Sequence, residues 1–175
     1  MSKEILKAKE ASDSVGGILE SAIIGIPEGV GEPFFDSCES LISHILFSIG
    51  GIKGVEFGDG FALADMFGSE ANDPFLVKDG KIVTKTNHNG GILGGITSGM
   101  PIIVRTAVKP TPSIFKEQES VSLSKMENKT LTIKGRHDPA IVPRVRSVVD
   151  ACLAIAVADM LSVRFGTDYL RNTEV

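Results

Sequence analysis

The segment Lys134–Arg146 carries the densest positive charge, with Lys134, Arg136, Arg144 and Arg146 set against Asp138 alone in a chain of net charge −4. Guanidinium groups present a planar fork of donors suited to phosphate and carboxylate. The segment therefore reads either as an anion site or as a solvated basic loop. Within it, Arg136-His137-Asp138-Pro139 places a guanidinium, an imidazole and a carboxylate in consecutive positions, types able to assist proton transfer. Neighbours in an extended segment point to opposite sides, so adjacency does not by itself bring them into contact. A second candidate is the loop Asn87-His88-Asn89-Gly90-Gly91-Ile92-Leu93-Gly94-Gly95. Its bare backbone N–H groups can cradle a phosphate, or the segment is a pair of tight turns. It lacks both the G-x-G-x-x-G dinucleotide spacing and the G-K-[ST] ending of a P-loop.

Other chemistries find little support. The three histidines, His44, His88 and His137, have no metal-ligand spacing. His44 falls between Leu41 and Ile45 on a helical pattern and reads as a packing or solvent residue. Cys38 and Cys152 form no C-x-x-C pair, which argues against structural zinc and a disulfide framework. No G-x-S-x-G or Cys/His nucleophile arrangement occurs.

The elements that must position these residues follow from pattern. Residues 3–11 suit a short helix, and Ile18–Ile26 a strand stopped by Pro27. Asp36 or Ser37 caps a helix whose apolar set, Leu41, Ile42, Ile45, Leu46 and Ile49, forms one face. Ile52–Phe57 is a strand, and Phe61–Phe67 a helical turn. Leu76-Val77 and Ile82–Thr84 flank a hairpin turn at Lys78–Lys81. Ile102–Val108 is a strand that runs into the rigid corner Lys109-Pro110-Thr111-Pro112. Val121–Leu123 and Leu131–Ile133 are expected to pair across Ser124–Lys129. Ser147-Val148-Val149-Asp150 is a capping-box pattern opening a helix that ends at Phe165 before Gly166. Its middle is apolar on nearly every side, which predicts burial on most faces. Strands and helices mix without a βαβ rhythm, so the fold class is α+β, with helices packed between sheets.

The chain has 175 residues, 42% of them hydrophobic and 23% charged, which suits one folded domain and argues against disorder. The acidic balance argues against a general nucleic-acid coat. The longest apolar run, Ala151–Ala158, falls far short of the ~20 residues that span a bilayer. A soluble, cytoplasmic chain is expected, with neither nucleic acid nor membrane as partner. Nineteen glycines gather around residues 16–31, 50–60 and 90–99. Such clustering marks tight turns or close approach to a ligand rather than a linker.

Six stretches together resemble chorismate synthase. They are Asp13-Ser-Val-Gly-Gly17, Gly25-Ile-Pro-Glu-Gly-Val-Gly-Glu-Pro33, Lys53-Gly-Val-Glu-Phe-Gly-Asp-Gly-Phe61, Thr86-Asn-His-Asn-Gly-Gly-Ile-Leu-Gly-Gly-Ile96, Lys109-Pro-Thr-Pro-Ser113 and Lys134-Gly-Arg-His-Asp-Pro139. Their order and approximate spacing follow the family. The resemblance covers almost all of this chain but only the C-terminal half of the family, so residues 1–175 are expected to form a single domain without the N-terminal half. Two histidines associated with catalysis and a Ser-Ser-Gly-Arg motif belong to that other half.

The resemblance implies a partial β-α-β sandwich with helices held between two sheets. It also implies a reaction, the 1,4-elimination of phosphate from 5-enolpyruvylshikimate 3-phosphate to give chorismate, in the shikimate pathway of aromatic amino acid biosynthesis, with reduced FMN. Gly50, Gly51, Gly94, Lys109, Pro110, Thr111, Pro112, Ser113 and Arg136 match flavin-lining positions. Arg136 also reaches toward the substrate phosphate. Asp138 matches an aspartate proposed to assist proton movement near the flavin ring. The expected partners are that substrate and either further copies in a homo-oligomer, a tetramer in the family, or a complementing N-terminal half. The isolated chain is expected to be inactive. The alternative is a non-catalytic homologue that binds an anion or flavin, or oligomerises, without turnover.

Overall fold

The structure, a computed structural model, describes residues 2–169. The elements in chain order are α1 (Ser2–Glu10), β1 (Gly17–Ile23), α2 (Cys38–Phe47), β2 (Ile52–Phe57), a 3-10 turn (Gly60–Asp65), α3 (Gly68–Ala71), β3 (Phe75–Lys78), β4 (Lys81–Thr84), β5 (Ile92–Leu93), β6 (Ile96–Thr97), β7 (Ile102–Val108), β8 (Gln118–Ser122), β9 (Glu127–Leu131) and α4 (Val142–Phe165). The fold is α+β.

Its centre is an antiparallel sheet in the order β1-β7-β2. The middle strand, β7, alternates as the strand period requires. Ile102, Val104, Thr106 and Val108 are buried, while Ala107, on the other side, is exposed. Helices α2 and α4 cover the buried face. Ile42 and Leu46 from α2 meet Val145, Val149, Leu153, Ala156 and Met160 from α4 in one core with the strand residues. The remaining strands form three separate two-stranded hairpins, β3-β4, β5-β6 and β8-β9.

Most elements lie where the sequence pattern puts them. Ser37 caps α2, its hydroxyl accepting from the Ser40 N–H. The β3-β4 hairpin closes through Asp79 and Gly80, both at positive φ, as its two-residue turn requires. Three expectations need correction. β1 stops at Ile23 rather than Ile26, because Gly25 turns the chain with φ 78°. Helix α4 begins five residues before Ser147, with Pro143 in its first turn where a missing N–H costs nothing. The β8-β9 register places Val121 opposite Asn128, so Glu127–Lys129, the second half of the stretch expected as a loop, is itself strand and the turn is shorter. That hairpin is mostly solvated, and its pattern carries no buried face to set the register.

The largest difference concerns the sides of α4. Its buried residues, Val142, Val145, Val149, Leu153, Ala156 and Met160, are spaced three and four apart and form a single stripe. Val148, Ile155 and Val163 are exposed. The helix lies on one sheet, and no second sheet covers its far side among the described residues. The described residues thus place a helix layer on one face of the three-stranded sheet, with the outer side of α4 left open.

Candidate functional site

The Val108 end of β7 gathers several of the predicted residues. Gly50 and Gly51 form the turn between α2 and β2, and the Lys109 N–H donates to the Gly51 carbonyl at 2.9 Å. The chain then turns through Pro110 and Pro112, whose fixed φ makes the corner stiff. Lys109 and Pro110 are exposed, whereas Thr111 and Ser113 are half-buried. The Thr111 hydroxyl is buried and has no hydrogen-bond partner among the described residues. Gly51 has φ 97°, and a Cβ there would lie 2.9 Å from Ile141 Cδ1.

The segment Ser12–Gly17 braces this corner. The Ser14 hydroxyl donates to the Thr111 carbonyl at 2.6 Å, and the Phe115 N–H donates to the Ser12 carbonyl at 3.2 Å. Lys116 Nζ meets Asp13 Oδ2 at 2.6 Å. That ammonium, with the Ser14 N–H, holds the Asp13 carboxyl below its usual range. The Val15 N–H donates to the Pro139 carbonyl at 2.8 Å, which brings the Arg136–Pro139 stretch to the same place.

Arg136, His137 and Asp138 do not act on one another. His137 turns inward and lies against Phe115, with ring centroids 5.2 Å apart, and its Nε2 is buried with no partner among the described residues. Asp138 Oδ2 takes an ion pair from Arg144 Nη1 at 2.8 Å. Arg136 is exposed and forms no ion pair among the described residues. The basic cluster also divides, since Arg146 faces a groove lined by Glu20, Ser21 and Asp150 beside β1.

The glycine loop is a pair of tight turns, and its donors already hold an anion from the chain itself. Asp73 accepts from Thr86 Oγ1 at 2.8 Å and from the His88 N–H at 2.8 Å. It also accepts from the Asn89 N–H and the Asn89 amide, both at 2.9 Å. Burial alone pushes this carboxyl up, but the hydrogen bonds from Asn89, His88 and Thr86 hold it below its usual range. His88 Nδ1 lies 2.5 Å from Asp59 Oδ2, and the Asp59 N–H donates to the His88 carbonyl at 2.8 Å. Sequence reasoning missed Asp73 and Asp59, which lie at least 13 residues from their partners. The available signal was Asp73 in Asn72-Asp73-Pro74, an acid opening a turn.

Gly94 lies apart from the corner. With Gly95 it turns β5 into β6, and the Cys38 N–H at the start of α2 donates to the Gly95 carbonyl at 2.9 Å. The ten-residue α2, roughly 15 Å long, separates that end from the Gly50-Gly51 turn. Beside it, the β3-β4 hairpin and the β5-β6 turn enclose a cavity of about 930 Å³ lined by Phe75, Ile82, Leu93 and Ile96 among others. Among the described residues no group of His, Cys, Asp and Glu is placed to hold a metal ion, and no helix is long and apolar enough to cross a membrane.

The profile of the family described as chorismate synthase matches residues 1–162. The chain is similar to a chorismate synthase of Thermococcus kodakarensis, with 51% identity over 161 residues that cover 92% of this chain and 45% of that protein. It is 49% identical over 175 residues to one of Methanobrevibacter smithii, covering 100% of this chain and 48% of the other. A solved structure described as a crystal structure of chorismate synthase matches with a TM-score of 0.77 at 32% identity, covering 97% of this chain and 44% of that one. The chain therefore spans less than half the length of each of these relatives.

Proposed function

The chain belongs to the chorismate synthase family, and from that membership we propose that it forms the C-terminal half of a site that converts 5-enolpyruvylshikimate 3-phosphate into chorismate. The cofactor is reduced FMN, which supplies transient electron donation without net redox change. The observation that supports the reading is the meeting of the Lys109–Ser113 corner with the Arg136–Pro139 stretch, joined through Ser14 and Val15.

The residues present fit the polar part of such a ligand. Lys109 and Arg136 are exposed cations able to meet phosphate oxygens. Among the described residues nothing lies within 4 Å of the Cβ position of Gly50, so that part of the floor is open backbone. Pro110, Pro112 and Ser113 complete the flavin-lining stretch, and Gly94 joins the assignment on family likeness alone. Arg136 also serves the substrate phosphate. Asp138 gives Oδ2 to Arg144, which leaves Oδ1 to hold or pass a proton.

The site is completed by a further layer over the open side of α4. Another copy in a homo-oligomer covers that side, but only the N-terminal half that the family's longer members carry brings the remaining site residues. Anaerobic titration of residues 1–175 with reduced FMN, followed by phosphate release from the substrate, tests the reading. Flavin binding is expected with the chain alone, and turnover only when a separately made N-terminal half is added. Binding without turnover in that mixture assigns a non-catalytic homologue instead, and no flavin binding in either case overturns the assignment.

A further inference from the structure

We infer that Ser14 is a positioning residue. Its hydroxyl clamps the carbonyl of Thr111 and so sets the Lys109–Ser113 corner against the Arg136–Pro139 stretch. This rests on the flavin reading of that corner and adds a role for Asp13-Ser14-Val15-Gly16-Gly17, a stretch whose chemistry the proposed reaction leaves unused.

Ser14 lies 97 residues from Thr111 in sequence, and its hydroxyl donates at 2.6 Å to a backbone carbonyl between two prolines. Neither Pro110 nor Pro112 has an N–H to tie the corner down by itself. Outside contacts must therefore fix it, and the Ser12–Gly17 segment supplies them from both sides. Ser12 accepts from Phe115 N–H after the corner, and Gly16 fits closely before it. A Cβ on Gly16 would lie 2.4 Å from the Val108 carbonyl oxygen and 3.1 Å from Pro110 Cδ. Val15 reaches the other side of the site through its bond to the Pro139 carbonyl. One short segment thus touches both stretches whose mutual placement defines the corner. Ser14 supplies the side-chain hydrogen bond between that segment and the proline stretch.

The test compares Ser14→Ala and Ser14→Thr with the parent chain, with Ser124→Ala in the exposed β8-β9 turn as control. Amide hydrogen exchange in the ligand-free protein is expected to quicken roughly five- to tenfold at Val15, Lys109 and Phe115, the hydrogen-bonded amides that flank the corner, in Ser14→Ala, the equivalent of one lost hydrogen bond. It should return to the parent rate in Ser14→Thr, which keeps the hydroxyl. The melting temperature should stay within about 3 °C of the parent. Reduced FMN should bind Ser14→Ala roughly five- to tenfold more weakly, with recovery in Ser14→Thr.

Unchanged exchange at the corner in Ser14→Ala overturns the clamp, whatever the flavin does. Faster exchange throughout the chain, or a failure to fold, overturns it by making Ser14 a general prop. Faster exchange at the corner with flavin affinity unchanged overturns its positioning role. Faster exchange at the corner in a chain that binds no flavin even as the parent supports the clamp and defeats the flavin reading, so the two fail separately.

Discussion

Asp73 receives four hydrogen bonds from Thr86, His88 and Asn89, so its carboxylate organises the loop that leads into β5 and β6. The cost of partial burial opposes the charged form, and the donors outweigh it. A carboxyl whose folded pKa is lowered stabilises the fold fully above its unfolded value, near ~3.9. That contribution disappears as pH falls through the lower folded value. Asp73→Asn is expected to cost about 2–3 kcal/mol at pH 7, because bonds to a charged acceptor are lost and an amide donor meets two N–H groups. The difference from the parent should shrink below about pH 4. Urea unfolding at pH 7 and at pH 3 checks both parts. An equal gap at the two pH values would show that the charge of Asp73 contributes nothing and that shape alone matters. The same residue shows where sequence reading stops. The donors' loop was visible as glycine-rich and polar, but the acid that fills it lies on another segment, and only the fold brings the two together.

Helix α4 makes the corresponding point for an element. Its apolar residues surround the axis, so periodicity could announce the helix but not which side meets the sheet. The structure resolves this by burying the stripe through Val149 and Leu153 and leaving Ile155 59% exposed. Leu153→Ala should cost about 2–5 kcal/mol through lost burial and a cavity. Ile155→Glu, two positions along, should change stability by less than about 0.5 kcal/mol in a dilute monomer. Thermal melts of both variants decide it, and a large loss from Ile155→Glu would mean that this side is already covered in solution. Strands with a buried alternation, such as β7, were legible almost to the residue. So was the Asp79-Gly80 hairpin, whose turn residues dictate its conformation. The solvated β8-β9 hairpin was misregistered because nothing apolar distinguishes its faces. At the site, the glycine and proline corner could be read from residue type. Two other features follow only from the folded chain: the pairing of Asp138 with Arg144, and the inward turn of His137 onto Phe115.

At the scale of the whole molecule the surface is too large for a finished monomer. The chain exposes 11848 Å², whereas a compact monomer of 18.6 kDa exposes about 8,200 Å². The excess, more than about 3,000 Å², falls in the range that an obligate assembly buries across its interfaces. Much of the exposed surface is apolar. Phe34 is 88% and Phe35 90% exposed, and the outer side of α4 adds Val148, Ile155 and Val163. Exposed apolar area of this extent drives association. We therefore expect the chain at micromolar concentration to sediment as a dimer or larger species. Ile155→Glu should shift it toward monomer, because a charge placed in that contact must be desolvated without a partner. Adding a separately made N-terminal half from a full-length family member should dissociate the self-associated form in favour of a mixed complex, since both compete for the exposed outer side of α4. Analytical ultracentrifugation across a hundredfold dilution, with and without that half, measures each step. A monomer that persists throughout, melts cooperatively and ignores the added half would defeat the argument. Its large exposed area would then belong to the working form of the protein rather than to an interface left open.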